Sequence, residues 1–360
     1  MGEKEMRKRV AAVARGISKR GLDGGVFTSA ANVTYLTGFL GEDSWALVIG
    51  RKVWLLTDSR YTEQAEDECV GCRIVERGKS TLEAAAAKIL ARHNSVAVFG
   101  VENTTSLARY DSIRKKVKAK ARKMKEIVRD IRSIKEPGEI ANIRKANSIG
   151  DKAIEQALKH LKVSITEAEF AGILELEMRR FGGGAAFETI VCYGPNGSRN
   201  HHLPGARRLR KNDTVLVDFG VRYRGYCSDK TRCYGVGKVS GKFRKAYDTV
   251  ASAQAAAIDA ISAGARIKDV DAAARKVIGE SGFPLFGHGL GHGIGLEVHE
   301  LPFLGAQLKG RLGANQVVTV EPGIYIPGKF GIRIEDDVLV TEKGCKIIGR
   351  RKKSPELLII

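Results

Sequence analysis

The sequence predicts an α+β protein whose larger carboxyl-terminal part is preceded by a smaller α/β domain. Three observations lead there. The chain has 360 residues, long for one hydrophobic core and comfortable for two domains. Up to about residue 130, short apolar runs alternate with helical patterns, as α/β units do. Beyond that point, helical patterns come in pairs between segments that fold back as antiparallel hairpins, the α+β arrangement.

In the amino-terminal part, residues 3–20, 60–68, 80–92 and 104–118 read as helices. Gly25–Thr28, Trp45–Ile49, Val53–Leu56 and Val96–Phe99 read as strands, and Asn32–Phe39, mixed in polarity, reads as a loop. The break falls near Ile134-Lys135-Glu136-Pro137-Gly138, where Pro137 suits a helix start, so the domains run 1–130 and 131–360. Helices are expected at 138–160 and 166–181, then a hairpin, then Ala-rich helices near 243–263 and 268–281. The chain closes on Gly-rich and β segments ending in Leu357-Leu358-Ile359-Ile360. No solenoid period is present.

Composition narrows the class. No segment is long and apolar enough to span a membrane, and the mixed-charge start makes a poor signal peptide. The six cysteines are scattered, unlike the framework of a small secreted domain, and Cys69-Val-Gly-Cys72 has no second pair to complete a zinc knuckle. A reducing, cytoplasmic location is expected. The net charge of +20 is the outlier, and much of it lies in Arg114–Lys125. That run has no aromatic residue to stack on bases. It reads as a solvated helix face beside the interdomain linker, and nucleic acid is not expected as a partner.

Five metal-binding side chains occur in order: Asp218, Asp229, His292, Glu321 and Glu335. A turn centred between Tyr223 and Arg224 sets Asp218 opposite Asp229, and one centred on Gly328 sets Glu321 opposite Glu335. Like charges facing each other across a sheet are destabilising, and burying them unpaired costs far more. Any one of these acids alone would read as exposed or salt-bridged. Two facing pairs with a histidine call for cations, and four carboxylates with a neutral imidazole balance two divalent ions. The donor set suits manganese, cobalt, iron or zinc.

Glycine occupies every second position from Gly287 to Gly295. If this stretch is extended, His288, Leu290, His292 and Ile294 share the other face, and the glycine face admits close approach of a backbone or ligand. The spacing does not fit a dinucleotide fingerprint. His201, His202, His288, His292 and His299 concentrate within a hundred residues, which favours a polar site, and Asn196–Pro204 has the composition of a functional loop.

These motifs resemble the creatinase/prolidase group of metallopeptidases, with its pita-bread fold. They are Val217–Gly220, Gly225–Arg232, Gly289–Leu296, His299–Pro302, Glu321–Tyr325 and Arg333–Asp337. Asn32–Phe39 and Leu56–Tyr61 resemble the amino-terminal domain of Xaa-Pro aminopeptidases and prolidases. The resemblance implies that Asp218 chelates one ion, that Asp229 and Glu335 bridge both, and that His292 and Glu321 complete the other. It also implies that Glu321 shuttles the proton of the attacking water, and that His201 and His299 bind substrate and stabilise the tetrahedral intermediate. Phe303 and Arg333 complete the expected substrate-binding set.

The implied activity is hydrolysis of an amino-terminal Xaa-Pro bond by a dinuclear metallo-aminopeptidase, or by a prolidase if dipeptides are preferred. Manganese or cobalt is favoured, a peptide with proline second is the substrate, and relatives are commonly homodimers. Three departures matter. Phe303 stands where relatives often carry an Arg that clamps a substrate carboxylate. Asn200 replaces the usual Pro before His201, and Arg207, Arg208, Arg210 and Lys211 make the following region basic. The alternative is a non-enzymatic relative with a basic nucleic-acid or ribosome-facing surface. Lost ligands would mark that fate, and none of the five is lost.

Overall fold

The computed structural model describes residues 2–349 and 358–359, and the chain divides into compact units at Met1–Arg132 and Ser133–Ile360. The first unit contains helices α1 (Glu3–Ser18), α2 (Ala30–Thr37), α3 (Thr62–Glu68), α4 (Leu82–Ala91), α5 (Leu107–Lys116) and α6 (Ile127–Arg132). Its strands are β1 (Gly24–Phe27), β2 (Trp45–Ile49), β3 (Lys52–Thr57), β4 (Arg73–Glu76), β5 (Val98–Glu102) and β6 (Lys120–Met124). They form one sheet in the order β4-β3-β2-β1-β5-β6. The β1–β2 and β2–β3 pairs are antiparallel and the other three parallel. The inner strands are buried along their length, which their continuous apolar runs require.

Two expectations here are corrected. Asn32–Phe39 is not a loop but mostly the helix α2. Val33, Tyr35 and Leu36 turn into the core, and Gly38, at φ 85°, ends the helix by donating its N–H to Thr34 O at 2.8 Å. Its polar Asn32 is buried because it has partners: it donates to the Glu102 carboxylate and accepts from Arg132 Nη1 at 2.7 Å. The basic run is not a helix face either. The helix stops at Lys116, and Lys118–Arg122 alternates exposed cations with half-buried alanines, the period of an edge strand. Lysines on such an edge discourage pairing with other chains.

The second unit has helices α7 (Pro137–Leu158), α8 (Glu167–Arg180), α9 (Gly241–Asp259) and α10 (Ile267–Glu280). Pro137 opens α7 without losing a hydrogen bond, and the hydroxyls of Thr166 and Ser240 cap α8 and α9 by accepting from Glu169 N and Phe243 N. Its strands are β7 (Gly184–Ala185), β8 (Ile190–Tyr193), β9 (Thr214–Phe219), β10 (Val221–Tyr223), β11 (Tyr226–Cys227), β12 (Lys230–Gly235), β13 (Gly291–Gly293) and β14 (Glu300–Leu304). They continue with β15 (Val317–Val320), β16 (Gly323–Ile326), β17 (Phe330–Arg333), β18 (Asp336–Thr341), β19 (Gly344–Ile347) and β20 (Leu358–Ile359). Of the expected closing segment, Leu357 and Ile360 lie outside the described residues.

The larger sheets run β20-β12-β9-β8 and β14-β13-β15-β18-β19. Helices α7 and α8 pack with β8 and β9 around one apolar cluster, and α9 and α10 pack with β14, β15 and β18 around the other. Two helix pairs over antiparallel sheet is the expected pita-bread α+β architecture.

The registers decide where the acids fall. In the first hairpin Asp218 pairs with Thr231, and Tyr223 with Tyr226. The turn is therefore Arg224-Gly225, one residue later than expected, and both residues have positive φ (48° and 81°), as the tight hairpin turn requires. Asp229 is thus not opposite Asp218. The slip is even, so the expected faces are kept. In the second hairpin Gly323 pairs with Arg333 and Val320 with Asp336, the register expected from a turn at Gly328. Glu321 and Glu335 stand abreast in the gap where the hairpin passes from one sheet to the other.

Candidate active site

Asp218, Asp229, His292, Glu321 and Glu335 all line one cavity of about 970 Å³, together with His201, His299, Phe303 and Arg333. They reach it from four supports. Asp218 sits near the end of β9, Asp229 before β12, His292 in β13, and the two glutamates at the sheet crossing. Ligand-type atoms of Asp229, His292 and Glu335 lie within 4.8 Å of one another. His292 Nε2 is 3.7 Å from Asp229 Oδ2 and 3.5 Å from Glu321 Oε1.

The stretch carrying His292 is not one extended strand. Only Gly291–Gly293 pair, and the register shifts after His292 so that Gly293 meets Glu300. His288 and His292 face the cavity, whereas Leu290 and Ile294 are fully buried. The glycine spacing nevertheless does what was expected of it. A Cβ on Gly289 would stand 2.7 Å from Leu304 O, and one on Gly291 or Gly293 would collide with Thr319 O or Leu301 O. His292 is held further by Thr319 Oγ1, which accepts from its backbone N–H at 3.1 Å. Its Nδ1 lies 3.1 Å from Gly293 O. A proton there leaves Nε2 as the free lone pair that a ligand needs.

Burial sets the electrostatics. It pushes the carboxyls of Asp229 and Glu335 well above the usual range, each raised further by neighbouring carboxylates. It raises Glu321 to about 8, partly offset by Arg333 and reinforced by Asp218. Burial also holds His292 down to about 4, with His299 adding to the effect, so the imidazole is neutral near pH 7. Asp218 Oδ1 and Asp229 Oδ1 are buried without a hydrogen-bond partner. Buried orphan oxygens beside strained carboxyls and a neutral imidazole are what a cation site offers, and the residues fit divalent metal.

This has a measurable consequence in metal-free protein. The folded pKa values of Asp229, Glu321 and Glu335 are raised, so the folded state keeps protons that the unfolded chain has released. Stability then falls as pH rises through the window from the ordinary carboxyl value of 4.5 to about 8 for Glu321. The melting temperature of chelator-treated protein should drop between pH 6.5 and pH 8, above the range in which the depressed His292 works in the opposite direction, and a divalent cation should flatten that slope. A metal-free profile that rises over the window would contradict the burial of uncompensated acids.

Arg333 serves the acids more than the opening. Its Nη2 donates to Asp218 Oδ2 at 2.5 Å, its Nε to Thr231 Oγ1 at 3.1 Å and its Nη1 to Tyr325 OH at 3.0 Å. Thr231 in turn donates to Glu335 Oε2 at 2.6 Å. His299 packs edge-on against His292, ring centroids 4.3 Å apart, and burial, opposed by Asp218, lowers its pKa. His201 is exposed at the mouth, while His202 turns away to Glu167 at 2.9 Å. Glu300, next to His299, also leaves the cavity for a buried pair with Lys135 at 2.6 Å. Phe303 lies opposite His292 on β14.

Sequence reasoning missed Thr231, Tyr325 and Arg275 as parts of this site, and placed His288 only on a shared face. His288 Nε2 lies 3.0 Å from Tyr325 OH. The signal was available for Thr231, which stands two residues beyond Asp229 on the same face of the strand.

The chain belongs to metallopeptidase family M24, which residues 141–342 match, and residues 9–134 match the creatinase/prolidase amino-terminal domain. It is therefore a metal-dependent peptidase with a pita-bread catalytic domain. An uncharacterized peptidase of Bacillus subtilis, YqhT, is 38% identical over 349 residues, 94% of this chain and 96% of its own. Among solved structures, the Xaa-Pro dipeptidase from Bacillus anthracis superposes with a TM-score of 0.93 at 33% identity and covers 100% of both chains. The X-Pro aminopeptidase from Thermotoga maritima superposes at 0.89 and 33% identity, covering 98% of this chain and 99% of its own.

Proposed function

We propose that the chain hydrolyses the bond between an amino-terminal residue and a following proline, using two divalent ions, and that it prefers tripeptides and longer chains over Xaa-Pro dipeptides. One observation carries the reading. Five ligand-type side chains meet in one cavity in a chain that superposes end to end on proteins named for Xaa-Pro hydrolysis. Asp218, Asp229, His292, Glu321 and Glu335 would hold the ions, with manganese or cobalt favoured by the family resemblance rather than by the donor set. When bound, the ions supply Lewis acidity and lower the pKa of water. Glu321 would take a proton from the attacking water and pass it to the leaving nitrogen. His299 and His201 donate to the carbonyl oxygen as it gains charge, and Arg333 fixes the orientation of Asp218. A cytoplasmic homodimer belongs to the same reading. The free state of all six cysteines fits the reducing location, and light scattering would test the assembly.

The chain-length preference rests on charge. A dipeptide places its carboxylate just past proline and needs a cation with a free face. Among the described residues the cavity's cations are Arg275 and Arg333, and both are committed. Arg275 holds Asp271 at 2.6 Å and the carbonyls of Phe286 and His288 at 2.8 Å. Arg207 pairs with Asp213 at 3.2 Å, Arg208 donates to Ser164 O at 2.7 Å, and neither lines the cavity. Metal-free protein reloaded separately with Mn, Co, Zn or Fe should release the first residue of Xaa-Pro-Yaa faster than that of Xaa-Pro, and spare Met-initiated peptides lacking proline. Phe303→Arg should raise the dipeptide-to-tripeptide ratio about tenfold, the worth of one charge-assisted hydrogen bond. A wild type that prefers dipeptides, and loses that preference in Arg207→Ala or Arg208→Ala, would overturn the length preference.

A further inference from the structure

Three large apolar side chains stand exposed where they have no part in the chemistry above. Leu203 is 60% exposed, Leu308 42% and Phe303 38%, and all three line the active-site cavity. The ligand side chains Asp229, His292 and Glu335 in that cavity are by contrast buried. Apolar residues scattered singly over a surface need no explanation, whereas several sharing one opening mark a binding surface. They come from separate segments. Leu203 follows His201 in its loop, Phe303 faces His292 across the β13–β14 ladder, and Leu308 folds back to within 3.4 Å of a Cβ built on Gly305.

Their place relative to the substrate follows from the direction of the reaction. An enzyme that removes one amino-terminal residue has a single residue to hold on the amino side of the scissile bond, against the buried ligands. The rest of the peptide leaves through the opening, so the rim meets the residues on the carboxyl side of the scissile bond. The cavity's two arginines are occupied, as described, so the rim offers apolar contact rather than charge. We propose that Leu203, Phe303 and Leu308 form a subsite for an apolar side chain at the third residue of the peptide, the one following proline. This assignment rests on the Xaa-Pro reading and adds a substrate class to it, namely peptides of the form Xaa-Pro-(Leu, Phe, Ile or Val).

The test compares kcat/KM for Ala-Pro-Leu, Ala-Pro-Gly and Ala-Pro-Asp in the metal-loaded wild type and in Leu203→Ser, Phe303→Ser and Leu308→Ser. A wild-type preference for leucine over glycine of about tenfold or more is expected, since apolar pockets discriminate by about 10- to 200-fold per methylene at best and this one is partly open. Aspartate should fall below glycine, and the leucine-to-glycine ratio should move toward one in the serine variants. Each variant serves as its own control, because a general loss of folding lowers both rates and leaves their ratio. Equal wild-type rates for leucine and glycine, or a ratio unchanged in all three variants, would overturn the subsite while leaving the Xaa-Pro reading intact. No turnover of any Xaa-Pro peptide would instead defeat the reading beneath it.

Discussion

Alanine at Asp229 or Glu335 is expected to lower kcat/KM by more than about 10³-fold, beyond the loss typical of a single hydrogen-bond donor, and to remove bound metal in the same step. Both carboxylates sit within ligand reach of His292, both are buried, and Asp229 Oδ1 has no other partner. Metal analysis of the purified variants checks the coupling. Stability supplies a second readout. A ligand that binds only the folded state stabilises it by about 2.7 kcal/mol at a hundredfold excess over its Kd. The wild type should therefore gain melting temperature on addition of divalent cation, and the variants should gain little. A variant that keeps full metal content and activity would remove the dinuclear assignment.

His299→Ala and His201→Ala should behave differently, losing about 10²–10³ in kcat while retaining metal. Neither belongs to the tight cluster of Asp229, His292 and Glu335. His299 touches that cluster through its edge-on contact with His292, and His201 is exposed and lines the cavity. The loss should appear in kcat more than in KM, because the carbonyl oxygen carries its charge only as the bond is attacked. His292→Ala provides the contrast and should lose metal and rate together. If His299→Ala also loses metal, the residue is a ligand and its assigned role fails.

The four acids and the histidine were legible in the sequence because their strands announce themselves: Val215–Val217 and Val317–Val320 are apolar runs that end or nearly end on a carboxylate. The second hairpin was readable to the residue because Pro327-Gly328-Lys329 marks its turn. In the first, Arg224-Gly225 is a weaker turn signal than Asn-Gly or Asp-Gly, and the register came out two residues away. Periodicity of two saved the face assignment. What the sequence hid was of another kind. The helix over Ala30–Thr37 was masked by Asn32, a polar residue whose burial makes sense only beside Glu102 and Arg132, distant in the chain. The strand in the basic run was masked by its own charge. Arg333 was placed with the substrate, whereas its hydrogen bonds run to Asp218, Thr231 and Tyr325. Apart from Tyr325, eight residues from Arg333, these partners lie 70 to 115 residues apart in the chain, and no local pattern encodes them.

The alternate glycines around His292 carry a consequence for how this site is inherited. Where a Cβ at 289, 291 or 293 would strike a carbonyl oxygen of the main chain, the obstacle is backbone, which cannot swing aside as a side-chain tip can. Even one methyl group would displace the strand before it disturbed anything else, and the imidazole would travel with it. The freedom to vary is therefore narrow at three positions that contribute no chemistry at all. A descendant sequence can keep every ligand and still lose the site, simply by acquiring alanine beside His292.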